Sequence, residues 1–288
     1  KEQQAAQRHR LRCVTRQRGT GRQRPHPLIR QSHLRTVAQH GQQQHGEETN
    51  HIGKQLRPLR GVFRVDFASQ PRTRPPTMPK TTLSKEETTA MLIQACDAII
   101  VAEPMLSEAD RNLGDGDHGL GMQRGMTAAK DKLNTAPPDS VEKAFSSVGM
   151  AMMSSMGGAS GAIFGTFFRN GGKALAGKDV LDAAGLAAFF QAGVDVLKQR
   201  GGAAVGDKTC VDAMEPAAQK AAEVASASLA DAATAIAAAA EAGTEASKAM
   251  VAKFGRAKTL GDACIGFPDA GACSVVVIIG AMRDYILA

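Results

Sequence analysis

From residue 78 onward the chain is a succession of apolar stretches at helical spacing, rich in alanine and methionine, broken by four loops of glycine and charged residues. That alternation leaves few folds open. Scarce β-branched runs, no Trp and a single Tyr, Tyr285, also favour helix. Ser84-Lys-Glu-Glu87 is a capping box, and Met91, Leu92, Ala95, Ile99 and Ile100 follow near helical spacing. The spacing predicts a second helix over about 120–133, a turn over 134–138, and a third helix capped by Asp139 or Ser140 and running to about 156. Further segments are predicted over 160–176, 180–199, 208–224, 228–242, 244–253 and 271–287. Pro216 is expected to kink the sixth segment or to mark its first turn. Residues 275–279 also read as a short buried strand, but their flanks favour helix. About eight helices with short connectors and no clear strand make an all-α, up-and-down bundle or barrel.

The first connector carries Asp110, Asp115 and Asp117 in the stretch Asp110-Arg-Asn-Leu-Gly-Asp-Gly-Asp-His-Gly119. Three carboxylates this close repel one another unless a cation lies among them. Their hard oxygens select Mg²⁺, Mn²⁺ or Ca²⁺ over zinc or copper. Asp-Gly-Asp is equally ordinary turn chemistry on a solvated loop, and the trio alone does not decide between the two. An EF-hand is excluded, because loop position twelve, counted from Asp115, is Met126 rather than Glu. Gly114-x-Gly116-x-x-Gly119 matches the dinucleotide string but lacks the strand that must precede it.

The second loop, Gly157-Gly-Ala-Ser-Gly161, opens a helix with Ala159 and Ser160, so its amides suit a phosphate or a carboxylate; tight packing through small residues is the plain alternative. The third, Gly201 to Thr209, resembles a P-loop but interposes Asp207 before Lys208 and has no strand ahead of it. Asp207 reads as a cap for the next helix. In the fourth, Arg256 offers a fork of donors to phosphate oxygens or to a surface carboxylate, and Asp269 reads as a helix cap or a partner for a sugar hydroxyl. In an up-and-down bundle alternate connectors lie at the same end. Parity therefore places the acidic, glycine-rich and basic loops on one rim, the makings of a Mg²⁺-nucleotide site.

The high pI belongs elsewhere. Residues 1–77 hold 16 basic and 4 acidic residues, a net of +12, whereas 78–288 hold 19 and 24, a net of −5. The head is rich in Gln, Arg, His and Pro, with Phe63 and Phe67 its only aromatics, and is read as a disordered basic segment distinct from the 78–288 domain. Met78 looks like a natural start, so the head is expected to be upstream sequence; a nucleic-acid arm is the lesser alternative. No signal peptide is read there. No apolar run approaches membrane-spanning length, 273–280 being too short, so no membrane partner is expected. Cys96, Cys210, Cys264 and Cys273 lack metal spacing and read as buried thiols in a reducing cytoplasm.

Taken together, these motifs resemble the nucleotide-binding L subunit of dihydroxyacetone kinase, the DhaL-type family, over residues 80–288. The residues that carry the likeness are Asp110-x₄-Asp-Gly-Asp-His-Gly119, Gly157-Gly-Ala-Ser-Gly161 with Gly165-Thr-Phe-Phe168, Gly206-Asp-Lys-Thr209, Gly255-Arg256 and Asp269-x-Gly-Ala272. The resemblance implies a closed barrel of eight antiparallel helices that binds ADP or ATP through two Mg²⁺ ions. It implies that Asp110, Asp115 and Asp117 ligate the ions, and that His118, Gly119 and Gly121 lie against the nucleotide. Ala159 and Ser160 would contact phosphate, Gly201 and Cys210 would border the nucleotide, and Arg256 and Asp269 would close over it. Gly121 departs from the Asn of the two-subunit homologues, and Ala270 from a proline common in the fourth loop.

The resemblance implies a phosphotransferase that is half an enzyme. The ketose, dihydroxyacetone or a similar one, would be held covalently on a histidine of a separate K subunit. His118, the one histidine in 78–288, sits in the nucleotide motif. The phosphoryl donor would be ATP, or a phosphotransferase-system protein that recharges retained ADP. Two other roles stay open: a kinase domain for another substrate class, such as fatty-acid kinase, and a module that reports nucleotide state to a transcriptional regulator.

Overall fold

The computed structural model describes residues 80–288; the basic head read over 1–77 and the Met78 start lie outside the described residues. The described residues form eight α-helices and two 3₁₀ segments, with a single isolated β-bridge in place of strands. The helices are α1 (Lys85–Arg111), α2 (His118–Thr135), α3 (Val141–Ser155), α4 (Gly158–Lys173), α5 (Ala183–Gly201), α6 (Val211–Glu223), α7 (Leu229–Ala246) and α8 (Ala270–Leu287). Each packs on its sequence neighbour, and α1 packs on α8, so the ring closes.

Local chemistry sets where the odd-numbered helices begin. Ser84 accepts the Glu87 N–H at 3.2 Å while Glu87 accepts the Ser84 N–H at 3.0 Å, the capping box expected for α1. Ser140 caps α3, Asp182 caps α5 and Ser228 caps α7, each by accepting an N–H three residues on. These starts share one end of the ring, where Leu83 and Leu181 exchange backbone hydrogen bonds of 2.8 Å beside α1 and α5. The ring is filled by Phe145, Phe164, Phe167, Phe168, Phe189 and Phe190 with methionines and alanines around them. Ring centroids of Phe145 and Phe189 stand 4.3 Å apart. The space left among these rings, Met214 and the apolar side of α8 is about 10 Å³, barely room for one water and far too little for a ligand.

Four expectations need correction. The segment read at 244–253 is not a helix of its own, because α7 runs through Gly243 to Ala246. Gly243 is there for contact: a Cβ on it would collide with the Asp212 carbonyl of α6. Of the two readings of Pro216, the first-turn one falls, since Pro216 lies in the second turn of α6. Asp207 does not cap α6, whose N-cap is Cys210. Finally, α1 and α8, at 27 and 18 residues, are long and apolar enough to cross a membrane, although no uninterrupted run said so; both are members of the ring and pack on each other.

Gly243→Ala should therefore destabilise the protein by about 1–3 kcal/mol through forced separation of α6 and α7. Gly280→Ala on α8, where the nearest heavy atom to a new Cβ is Arg283 Nη2 at 3.9 Å, should stabilise it by about 0.5–1 kcal/mol. Urea melts of the two variants against the parent check both signs.

Candidate functional site

The even-numbered helices start at the opposite rim, and three of them start differently. The N-caps of α2, α4 and α6 are Asp117, Gly157 and Cys210, and none makes a side-chain cap hydrogen bond. Positive helix ends thus gather on one face; two of their first amides are met by loop neighbours, His118 N by the Asp110 carboxylate and Val211 N by Thr209 Oγ1. In α4 the left-handed φ of +71° at Gly158 lets the chain turn into the helix beside open space, with Ala159 exposed and Ser160 half-buried in its first turn.

The aspartate loop runs into the first of these ends, Asp117 being the N-cap of α2. Asp110 closes α1, and its carbonyl accepts from Leu113 and Gly114 at 2.9 and 2.6 Å, which bends the chain back at once. Leu113 is buried beneath the bend, and Gly116 at φ +78° reverses it again. The Asp110 carboxylate accepts the His118 N–H at 3.2 Å. The outcome is that one carboxylate oxygen each from Asp110, Asp115 and Asp117 lie within 4.8 Å of one another. An all-oxygen trio open to the rim fits a hard divalent cation with coordination positions to spare. Arg256 makes an ion pair with Asp115. A cleft of about 250 Å³ lies between them, lined by Arg111, Asn112, Leu113, Gly114, Thr259 and Leu260 as well.

His118 ties three helices together. Its Nδ1 lies 3.3 Å from Ser160 Oγ on α4, and its Nε2 lies 2.8 Å from Ser274 Oγ on α8. Burial pushes its pKa below the usual imidazole range, against the pull of Asp110 and Asp117, so the ring is neutral near pH 7. Gly119 is buried against α1, where a Cβ would strike Glu103 O and Ser107, so its part is helix packing; Gly121 has open space beside it.

The remaining rim is held by buried polar bonds. Asp212, 1% exposed, accepts from Gly206 N and Thr209 N at 2.6 and 2.7 Å and shapes the 202–210 loop. Asp207, in place of the expected capping role, accepts from Ala204 N at 2.8 Å and pairs with Lys253 at 2.7 Å. The Lys253 hydrogen bond is the chief reason its pKa is lowered. Asp269 does cap α8, accepting from Ala272 N at 2.8 Å. Burial pushes its carboxyl up to about 7. Cys210 is buried beside Gly271, and burial raises its thiol above the ordinary range. Gly201 is exposed at the last residue of α5. Sequence reasoning missed Ser274, Asp212, Ser247 and Lys253. Of these, Asp212 alone carried a signal, three residues after Thr209 as a local loop cap requires.

The DAK2 domain matches residues 112–284 of the chain. The chain is 33% identical over 199 residues to the PEP-dependent dihydroxyacetone kinase ADP-binding subunit DhaL of Escherichia coli, covering 68% of this chain and 95% of that protein. It is 35% identical over 178 residues to the corresponding subunit 1 of Listeria innocua, covering 62% and 85%. To human triokinase/FMN cyclase it is 32% identical over 199 residues, but spans only 34% of that longer protein. Among solved structures, the dihydroxyacetone kinase of C. freundii in complex with AMP-PNP and Mg²⁺ superposes with a TM-score of 0.56 at 23% identity. That superposition covers 75% of this chain and 36% of the other, and bears out the all-α fold. With a domain match across most of the ring and a curated relative covered almost end to end, the chain belongs to the DAK2-domain family.

Proposed function

We propose that residues 78–288 are the nucleotide-binding subunit of a kinase for dihydroxyacetone or a related small ketose. The observation that carries this reading is the clustering of three carboxylates at the start of α2, on the rim where α4 also begins without a side-chain cap. Asp110, Asp115 and Asp117 would hold two Mg²⁺ ions. Bound there, such ions neutralise the terminal phosphates of ADP or ATP and the charge that builds up in phosphoryl transfer.

The chain's own residues supply positioning. The first-turn amides of α4 and the Ser160 hydroxyl offer donors to phosphate oxygens. His118, neutral and bonded on both ring nitrogens, fixes where Ser160 stands. Arg256 can transfer its fork from Asp115 to a phosphate. Asp269 and Cys210, both against Gly271, and Gly121 and Gly201, each with open space beside it, would border the nucleotide. His118 is so fully engaged that no histidine of 80–288 is free to hold a ketose, which supports a K subunit as the substrate carrier. The names of the bacterial relatives, PEP-dependent and ADP-binding, favour the variant in which ADP stays bound and a phosphotransferase-system protein recharges it.

Purified protein should release stoichiometric ADP on denaturation, and prior EDTA treatment should strip it. Exchangeable ATP instead of ADP would favour the ATP-consuming variant, and binding of neither under any metal condition would sink the reading. Asp117→Asn should weaken Mg²⁺-dependent nucleotide binding about tenfold or more. The apo protein should melt no lower, since one of three mutually repelling carboxylates is gone.

Asp269 gives a pH signature. Its carboxyl is raised to about 7 in the folded protein, against about 3.9 in an unfolded chain. The folded state therefore binds the proton more tightly, and this contribution to stability is lost as pH rises from about 4 through 7. Denaturant melts at pH 5 and pH 8 should show a smaller pH-linked loss in Asp269→Asn than in the parent, by on the order of 1–3 kcal/mol.

A further inference from the structure

Lys208 is 2% exposed, although a lysine is seldom buried without a purpose. It holds the left-handed region with φ +58°, alone in doing so among the described non-glycine residues. Its Nζ donates to the carbonyl oxygens of Ser247 and Phe267, each at 2.6 Å. Those carbonyls are the two ends of the segment that leaves the ring after α7 and rejoins it just before α8. Between them lie the 3₁₀ pieces Ser247–Ala249 and Arg256–Cys264, hence Arg256. Asp269 follows two residues beyond the second end, and its N–H donates to Ser247 Oγ at 3.0 Å.

The segment's own apolar packing is slight. Its own core with the aspartate loop is Leu113, Ala252 and Cys264, with Ala257 packed on them. Val251, Phe254, Leu260, Ile265 and Phe267 are exposed. Gly266 N to Lys248 O at 2.7 Å closes its base; midway, Lys253 holds Asp207 through its N–H at 3.1 Å and its Nζ at 2.7 Å, and Arg256 pairs with Asp115. The Lys208 backbone is in turn rigid, because Asp212 fixes Gly206 and Thr209 on either side of it.

We propose that Lys208 is a positioning residue whose ammonium staples both ends of the 247–267 segment to the 202–210 loop and so sets where Arg256 and Asp269 stand for the nucleotide. The idea rests on the nucleotide reading above. A point-like cation on a long stem can donate to two converging carbonyls at once, through charge-assisted bonds that are stronger than those of a neutral amide. Burial lowers the lysine pKa, with Asp269 and Asp212 among the charges that oppose it. A group kept at that cost is bonded to something the fold needs held.

The test uses the full chain and two variants. Lys208→Met removes the donors; Lys208→Gly removes them while favouring the left-handed backbone, so the loop itself is not strained. Hydrogen exchange of 247–267 should quicken about tenfold or more in both, while amides in the middle of α1 and α8 keep their protection. The Kd for Mg²⁺-ADP should rise about tenfold, mainly through faster dissociation, because the segment is no longer preorganised. Unchanged exchange and Kd in Lys208→Gly would overturn the proposal, as would looser exchange with an unchanged Kd, which is what a merely structural lysine gives. If the parent chain itself fails to bind Mg²⁺-ADP, the nucleotide reading falls, and the exchange comparison still decides whether the staple exists.

Discussion

Alternating helix polarity is the constraint on which the rest depends. An up-and-down ring must present four helix N-termini at each end, and the two ends treat them oppositely. At the far end Ser84, Ser140, Asp182 and Ser228 each satisfy a first-turn amide, worth about 1 kcal/mol apiece. At the rim only α8 has such a cap, from Asp269. The starts of α2, α4 and α6 have no such cap; His118 N and Val211 N donate instead to Asp110 and to Thr209 Oγ1, and α4 begins beside the open space at Gly158. A rim that sets positive helix ends beside three carboxylates suits a cation and a polyanion together.

Rigid support for that rim comes from buried polar bonds that run between loops. His118 links the aspartate loop to α4 and α8; Asp212 freezes the 202–210 loop; Lys208 and Ser247 tie that loop to the last connector. Each of these groups is almost wholly removed from water, so breaking a bond leaves a partner unsatisfied rather than rehydrated. The rim therefore holds its shape by the same low-dielectric chemistry that makes it costly to disturb.

Much of this was legible in the chain, and the gaps have physical causes. Periodicity and caps located the helices because both are local: Ser84, Ser140 and Ser228 announce starts within three residues of themselves. The meeting of the first three loops followed from parity alone; the fourth joined them only once 244–253 proved not to be a separate helix. What stayed hidden was long-range. Gly243 read as a break because nothing nearby says that Asp212 lies against it. Asp207 read as a cap because spacing cannot tell that Lys253, 46 residues on, takes its carboxylate instead. Lys208 looked like a P-loop fragment, since burial and a left-handed φ leave no trace in a Gly-Asp-Lys-Thr string. Ser274 sat inside an apolar helix, indistinguishable from any small residue until His118 was placed beside it.

The closed core bears on how the molecule divides its labour. Phe145, Phe168 and Phe189 pack so tightly that the space left among the rings is too small for a ligand, and six of the seven connectors between the helices are short. The exception is the 247–267 segment, with 3₁₀ turns broken by Gly261 at φ +54° and a core of three buried residues. Few buried apolar contacts mean a low local opening energy, independent of the ring's own stability. Motion at the rim can therefore be slow or fast without loosening the barrel. Its rate is governed by the bonds at the segment's base, the Lys208 ammonium foremost, while the barrel's stability is governed by the phenylalanines some distance away.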